Sequence, residues 1–291
     1  MNNKNIYCNA FIGIPQTGTC SEYLNNTIHE TIDEIKEFYD FLADNDNSVT
    51  IAVAEGPTNF NHDIFWSLSN TLDSIKLLLG LGRINDAFSL IRKYNDAVII
   101  HIYVLIASEK EEQVFFEENH SLYDNIVNEW INGKNHLIEK EDYESKEESF
   151  LSEIKNRDTT LSRQLFNKKM RKEYGAKRNI GNDNVHYNNW NTFRFNNDSI
   201  MDYSISLALL LDAHETIRML FVIHFAYLIL LKPVAMLSSE YTDALDIGLQ
   251  PNEETMNQAA PIVCEMFEKY IDAFDKKLAN YLSGCTYLEL R

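Results

Sequence analysis

Apolar residues recur at helical spacing through most of this chain. Ile28, Ile32, Ile35, Phe38, Tyr39 and Leu42 share one stripe and predict a helix over residues 22–43. Ile64, Phe65, Leu68, Leu72, Ile75 and Leu79 form a second stripe, which Gly80 and Gly82 bring to a stop. A third follows at once: Ile84, Ala87, Phe88, Ile91, Asn95, Val98, Ile102 and Leu105. So short a connection makes the second and third helices antiparallel neighbours. The third is apolar nearly all round beyond Asp96, which predicts a central position. Leu122, Ile126 and Trp130 predict a short amphipathic helix ended by Gly133, and a further helix runs from near Ser149 through Leu151, Ile154, Leu161, Leu165 and Met170.

Between Asn182 and Asn197 seven of 16 residues are Asn, which predicts a long loop because Asn bonds its own backbone in competition with helix. A helix then runs from Ile200 to Leu231 and stops before Pro233. Its inner face includes Tyr203, Leu207, Leu210, Leu211, His214, Ile217, Phe221, Phe225 and Leu228. A loop is expected over 233–251. The last helix is expected from Asn252 to Leu282, with Pro261 either kinking it or opening its second half. Only the first 60 residues depart from this pattern: Ile6–Ile14 and Val49–Ala54 are rich in β-branched residues and predict short strands. The fold class is therefore mainly α. A helical bundle with long antiparallel helices is expected over 61–291, behind an N-terminal extension of mixed structure over 1–60.

Charge changes this picture. The formal net charge is -18, which argues against a general nucleic-acid binder, since most of the surface would repel phosphate. The charge is uneven, however. Residues 109–148 hold 13 acids and 4 bases, whereas residues 163–178 hold Arg163, Lys168, Lys169, Arg171, Lys172, Lys177 and Arg178 against Glu173 alone. The four cysteines form no CxxC pair, which suits a reducing compartment. The uncharged apolar runs Ala97–Ala107 and Met219–Leu231 are shorter than the roughly 20 residues a membrane span needs. The N-terminus lacks the apolar region of a signal peptide. These features together predict a cytoplasmic protein with no membrane partner.

Several chemistries lack their signatures. Gly13–Thr19 has the glycine spacing of a phosphate loop but not the lysine, and reads as a turn. No Gly-x-Ser-x-Gly elbow and no His-Glu-x-x-His pair occur, and no metal or cofactor is expected. His214 and His224 lie on an apolar face and read as hydrogen-bonded core residues. Arg92 stands four residues before Asp96, the spacing of a helical ion pair.

The stretch Arg178-Asn179-Ile180-Gly181-Asn182-Asp183-Asn184-Val185-His186-Tyr187 is different in kind. Arg178 offers a planar fork of donors suited to phosphate oxygens, and His186 titrates near neutral pH. RNA cleavage without a metal needs a base for the 2′-hydroxyl proton and a cation for the charge growing on phosphorus oxygens. Asn179, Asn182 and Asn184 could orient the histidine or the phosphate, Tyr187 could stack a base, and Lys177 and Arg171 extend the cationic surface.

This stretch resembles the signature of the HEPN superfamily: an arginine followed by a polar residue and, a few positions on, a histidine. Seven residues separate Arg178 from His186, one more than the signature usually allows, and Gly181 interrupts them. The resemblance implies a compact helical domain acting as a metal-independent endoribonuclease in a toxin or phage-defence system. It further implies a homodimer with two motifs facing one cleft, RNA as substrate and an antitoxin or effector as protein partner. In that reading Arg178 binds phosphate, His186 is the acid–base residue and Asn179 is the polar neighbour. The alternative is a non-catalytic interaction or sensor module of such a system, to which the acidic surface is suited. Sequence alone leaves open whether Arg92 rather than Arg178 reaches His186.

Overall fold

The computed structural model of the chain describes residues 24–45, 51–53, 56–58, 60–115, 203–248 and 258–290. The fold is mainly α. A π-helical turn, Leu24–His29, leads into α1 (Glu30–Asn45). A two-stranded antiparallel hairpin follows, β1 (Ile51–Val53) on β2 (Gly56–Thr58), with Ile51 opposite Thr58 and Val53 opposite Gly56. Next come α2 (Phe60–Gly80) and α3 (Ile84–Phe115). The later part holds α4 (Tyr203–Leu231), a 3-10 turn (Pro233–Met236) and α5 (Ser239–Asp246). It ends with α6 (Pro261–Met266), a π turn (Phe267–Asp272) and α7 (Lys276–Cys285). The strand expected over Val49–Ala54 is β1 at its centre. The one expected over Ile6–Ile14 and the Gly13–Thr19 turn lie outside the described residues.

The stripe on α1 is the inner wall of the bundle. Ile28, Ile32, Ile35, Phe38, Tyr39 and Leu42 are all fully buried. Its outer edge is tied to α2 by polar bonds: Lys76 donates to Asp33 at 2.5 Å, Ser69 to Asp40 at 2.6 Å, and His62 Nδ1 to the Ala43 carbonyl at 2.9 Å. The last of these satisfies a carbonyl near the C-terminus of α1 that has no partner within the helix. One continuous core therefore runs across residue 60, where the sequence suggested a boundary between extension and bundle. The physical reason is that an amphipathic helix of this length must cover its apolar face, and α2 offers the complementary one.

The α2–α3 corner is an αα-hairpin closed by a Schellman cap. Gly82 adopts φ 69°, its N–H bonds to the Leu79 carbonyl at 3.0 Å, and the Arg83 N–H reaches back to Leu78 at 2.8 Å. Gly80, by contrast, is the last residue of α2, and a methyl group there would meet His29 Cε1 at an ordinary 3.6 Å. Gly82→Ala should therefore destabilise the fold by about 1–2 kcal/mol through the left-handed backbone. Gly80→Ala should be neutral or slightly stabilising. Comparing the two urea midpoints tests the assignment of the stop to the second glycine.

Helix α3 is buried at Tyr94, Val98, Ile99, Ile102, Val104 and Leu105, as its all-round apolar character predicts. Arg92 and Asp96 form the ion pair that their spacing suggests. Helix α4 goes further: every residue from Met219 to Ile229 is buried. By length and composition Leu207–Leu231 could cross a membrane, yet 78% of that window is buried inside the bundle. Its contacts with α1, Thr31 to His214 and Tyr39 to His224, advance in the same sense along both helices, so the two run parallel.

Two expectations need correction. The stretch 233–251 is not simply a loop: it holds the 3-10 turn and α5. Ser238 caps α5 by accepting from the Tyr241 N–H at 3.2 Å, and Gly248 follows its end at φ 73°. The last helix is not continuous to Leu282. Pro261 opens α6 at its first position, and Asp275 breaks the run by accepting from Lys277 N at 2.7 Å and Leu278 N at 3.3 Å to begin α7. An antiparallel bridge between Leu237 and Ala259 joins the two ends of the intervening segment.

Candidate functional site

The residues that sequence reasoning singles out, Arg171, Lys177, Arg178, Asn179, Asn182, Asn184, His186 and Tyr187, lie outside the described residues, and with them the whole basic strip 163–178. The described residues instead bring together polar groups that the sequence left unconnected, and they do so in the middle of the core.

Five side chains from four helices form a linear chain of hydrogen bonds. Tyr94 of α3 meets Tyr39 of α1 at 2.8 Å, and Tyr39 meets His224 Nδ1 of α4 at 2.8 Å. His224 Nε2 meets His101 Nδ1 of α3 at 2.9 Å, and His101 Nε2 meets Asn61 Oδ1 of α2 at 3.1 Å. Aromatic rings seal this chain. Phe65 packs edge-on against His101 at 5.0 Å, and Tyr39 lies 6.0 Å from Phe221. None of the four ring residues is measurably exposed, and Asn61 is 1% exposed. Burial accordingly disfavours every charged form. It pushes His101 well below its ordinary value, helped by His224 and Lys232, and holds His224 down to about 3. It raises both tyrosines well above theirs, Tyr39 with a further contribution from the neighbouring Tyr94.

A second cluster stands about two to three turns away on the same helix pair. His214 Nε2 bonds Thr31 Oγ1 at 3.0 Å, and burial, with the Arg218 cation beside it, lowers His214 to about 3. The Tyr270 hydroxyl donates to Glu34 at 2.8 Å, and Lys269 also pairs with Glu34. The Arg218 guanidinium sits 5.6 Å from the centre of the Tyr270 ring. Burial, then the Glu34 carboxylate, pushes the Tyr270 phenol up.

These groups are chemistry-bearing by type and structural by placement. Burial favours the neutral form of all three imidazoles, and those of His101 and His224 are fully buried with both nitrogens bonded, a poor position from which to exchange a proton with a substrate in solution. His214 and His224 are the hydrogen-bonded core residues their positions predict. His101 and Asn61 were not foreseen. The one available signal was a titratable side chain sitting against a stripe of core residues. Among the described residues no three His, Cys, Asp or Glu side chains converge as metal ligands would. No protein-family model, no curated protein and no solved structure matches the chain.

Proposed function

We propose that the protein is a metal-independent endoribonuclease acting in the cytoplasm as a toxin or phage-defence effector, with Arg178 and His186 as its working pair. One observation carries the reading. An arginine and a histidine close in sequence stand at the end of the one strongly basic segment of a chain whose net charge is -18. Opposite charge is thereby concentrated where a phosphate backbone could be held. The mainly α fold suits the resemblance. The buried imidazoles add an argument by elimination: His101, His214 and His224 are committed to internal bonds.

In the reaction, the His186 imidazole takes the proton from a ribose 2′-hydroxyl. The freed oxygen attacks the adjacent phosphorus, Arg178 neutralises the equatorial oxygens, and the bond to the 5′-oxygen breaks as that oxygen takes up the proton held by the His186 imidazolium. A 2′,3′-cyclic phosphate end results. Asn179, Asn182 and Asn184 orient the histidine and phosphate, Tyr187 stacks a base, and Lys177 and Arg171 hold neighbouring phosphates.

Incubating the purified protein with tRNA or total RNA in EDTA tests this. Wild type should leave cyclic phosphate ends, and His186→Ala should lower the rate by about 10²–10⁴-fold. No cleavage by either protein, or equal cleavage by both, refutes the reading. The acidic 109–148 segment would then favour a non-catalytic interaction or sensor module, which a stable protein partner recovered from the native host would identify.

A further inference from the structure

The buried hydrogen-bond chain fixes where its own protons sit. With its oxygen turned toward the ring, Asn61 can only accept there, so His101 carries its proton on Nε2. A neutral imidazole has a single N–H, which leaves His101 Nδ1 as an acceptor and makes His224 Nε2 the donor across 2.9 Å. His224 Nδ1 is then an acceptor as well. The Tyr39 hydroxyl must donate to it, and the Tyr39 oxygen accepts from Tyr94. Four bonds hold one proton each, and all run in the same direction, from Tyr94 to Asn61.

An added proton has no place in this arrangement. On His101 it would sit on Nδ1, setting two N–H groups head-on. On His224 it would sit on Nδ1 and force the Tyr39 and Tyr94 hydroxyls to reverse, leaving the Tyr94 proton without an acceptor in the chain. Either cation would be fully buried. Among the described residues, the groups facing the two rings offer no compensation. They are Tyr39 from α1, Asn61 and Phe65 from α2, Tyr94 from α3, and Lys232 at the end of α4, which is itself a cation acting on His101. Asp40, the carboxylate next to Tyr39 in α1, is committed to Lys36 at 2.8 Å and Ser69 at 2.6 Å.

We infer that the Tyr94–Tyr39–His224–His101–Asn61 chain is an acid-sensitive lock, which joins α1, α2, α3 and α4 while both imidazoles are neutral and releases them on mild acidification. This stands apart from the ribonuclease reading and survives its failure.

The pH window follows from the direction of the shifts. Both histidines are held below their ordinary value in the folded protein. Above about pH 6.5 neither state binds the extra proton and the lock contributes fully. Below it the unfolded chain takes up protons that the folded chain refuses, and stability falls toward the folded values. Each such histidine multiplies the unfolding equilibrium constant by about tenfold per pH unit, so the pair gives about 100-fold and His214 raises this to about 1,000-fold.

The test is urea unfolding of the full chain from about pH 7.5 to about pH 4.5, with imidazole nitrogen NMR on the folded protein. Comparing variants cancels the contribution of the carboxylates. His101→Gln should remove a factor of about ten per pH unit from the wild-type dependence, and so should His214→Gln, which lies outside the lock. The NMR spectrum should show His101 and His224 neutral with Nε2 protonated at every pH at which the protein is folded. If His101→Gln fails to fold, the wild-type spectrum decides alone. A cationic or Nδ1-protonated ring at either position in the folded protein overturns the inference. So does a His101→Gln variant with the pH dependence of wild type.

Discussion

Phe38→Ala should lower the unfolding free energy by about 3–5 kcal/mol. Phe38 is fully buried on α1, and its ring meets two rings of α4 edge-on, Phe225 at 4.7 Å and Phe221 at 5.5 Å. Phe221 in turn meets Tyr270 at 5.0 Å, so the side chain from α1 lies at the root of an aromatic stack that reaches the C-terminal turns. Truncation loses the transfer energy of a whole ring. It also leaves a cavity whose walls are rings fixed to long helices and cannot close over it. Such a loss is a large share of the roughly 5–15 kcal/mol by which domains are stable. Urea unfolding should show a lower midpoint with an unchanged slope. Leu77→Ala, at a position on α2 that is 63% exposed, should change stability by less than about 0.5 kcal/mol and serves as the control. A Phe38→Ala variant that behaves like Leu77→Ala would mean that α1 does not belong to this core.

The helices carried by long apolar stripes were legible in the sequence. Ile32, Ile35, Phe38 and Leu42 are buried where their spacing puts them, and so are Phe65, Leu68 and Leu72 on α2. This works because the long helices are stabilised chiefly by burying one face, and burial leaves a periodic trace. The C-terminal part was less legible for the opposite reason. Helices α5 and α7 are short, and their starts are set by single capping side chains, Ser238 and Asp275, rather than by a long apolar stripe. The polar chain was least legible. His101 and His224 stand 123 residues apart, and His101 and Asn61 stand 40 apart. No periodicity within one helix can pair residues on different helices. A pattern can mark Tyr39 or His224 as polar groups on a core face, but their partners follow only from the way four helices come together. The Arg178–His186 stretch shows the converse: it is conspicuous in the sequence for its composition, and it lies outside the described residues, so the cleavage experiment is the test of that pair.

Tyr39→Phe should cost about 2–6 kcal/mol, far more than the loss of one hydroxyl suggests. The reason lies in the place of Tyr39 within the chain. Its oxygen accepts from Tyr94 at 2.8 Å while its proton goes to His224 Nδ1 at 2.8 Å. Removing it leaves a buried donor on one side and a buried acceptor on the other, each costing about 1–3 kcal/mol. Tyr94 is the end of the chain, and Tyr94→Phe only deprives the Tyr39 oxygen of one donor. That variant should cost about 0.5–1.5 kcal/mol. The double variant should then be less damaging than the sum of the two by about 1.5–4.5 kcal/mol, because the Tyr94 donor is no longer left bare and no Tyr39 oxygen remains to lose its donor. This asymmetry reads the direction of the bonds. Were they to run the other way, from His224 toward Tyr94, Tyr94→Phe would strand the Tyr39 proton and become nearly as costly as Tyr39→Phe. A double-mutant cycle in urea at neutral pH, where the histidines are neutral in both states, separates these outcomes. Equal costs for the two single variants would contradict the protonation pattern on which the acid response depends.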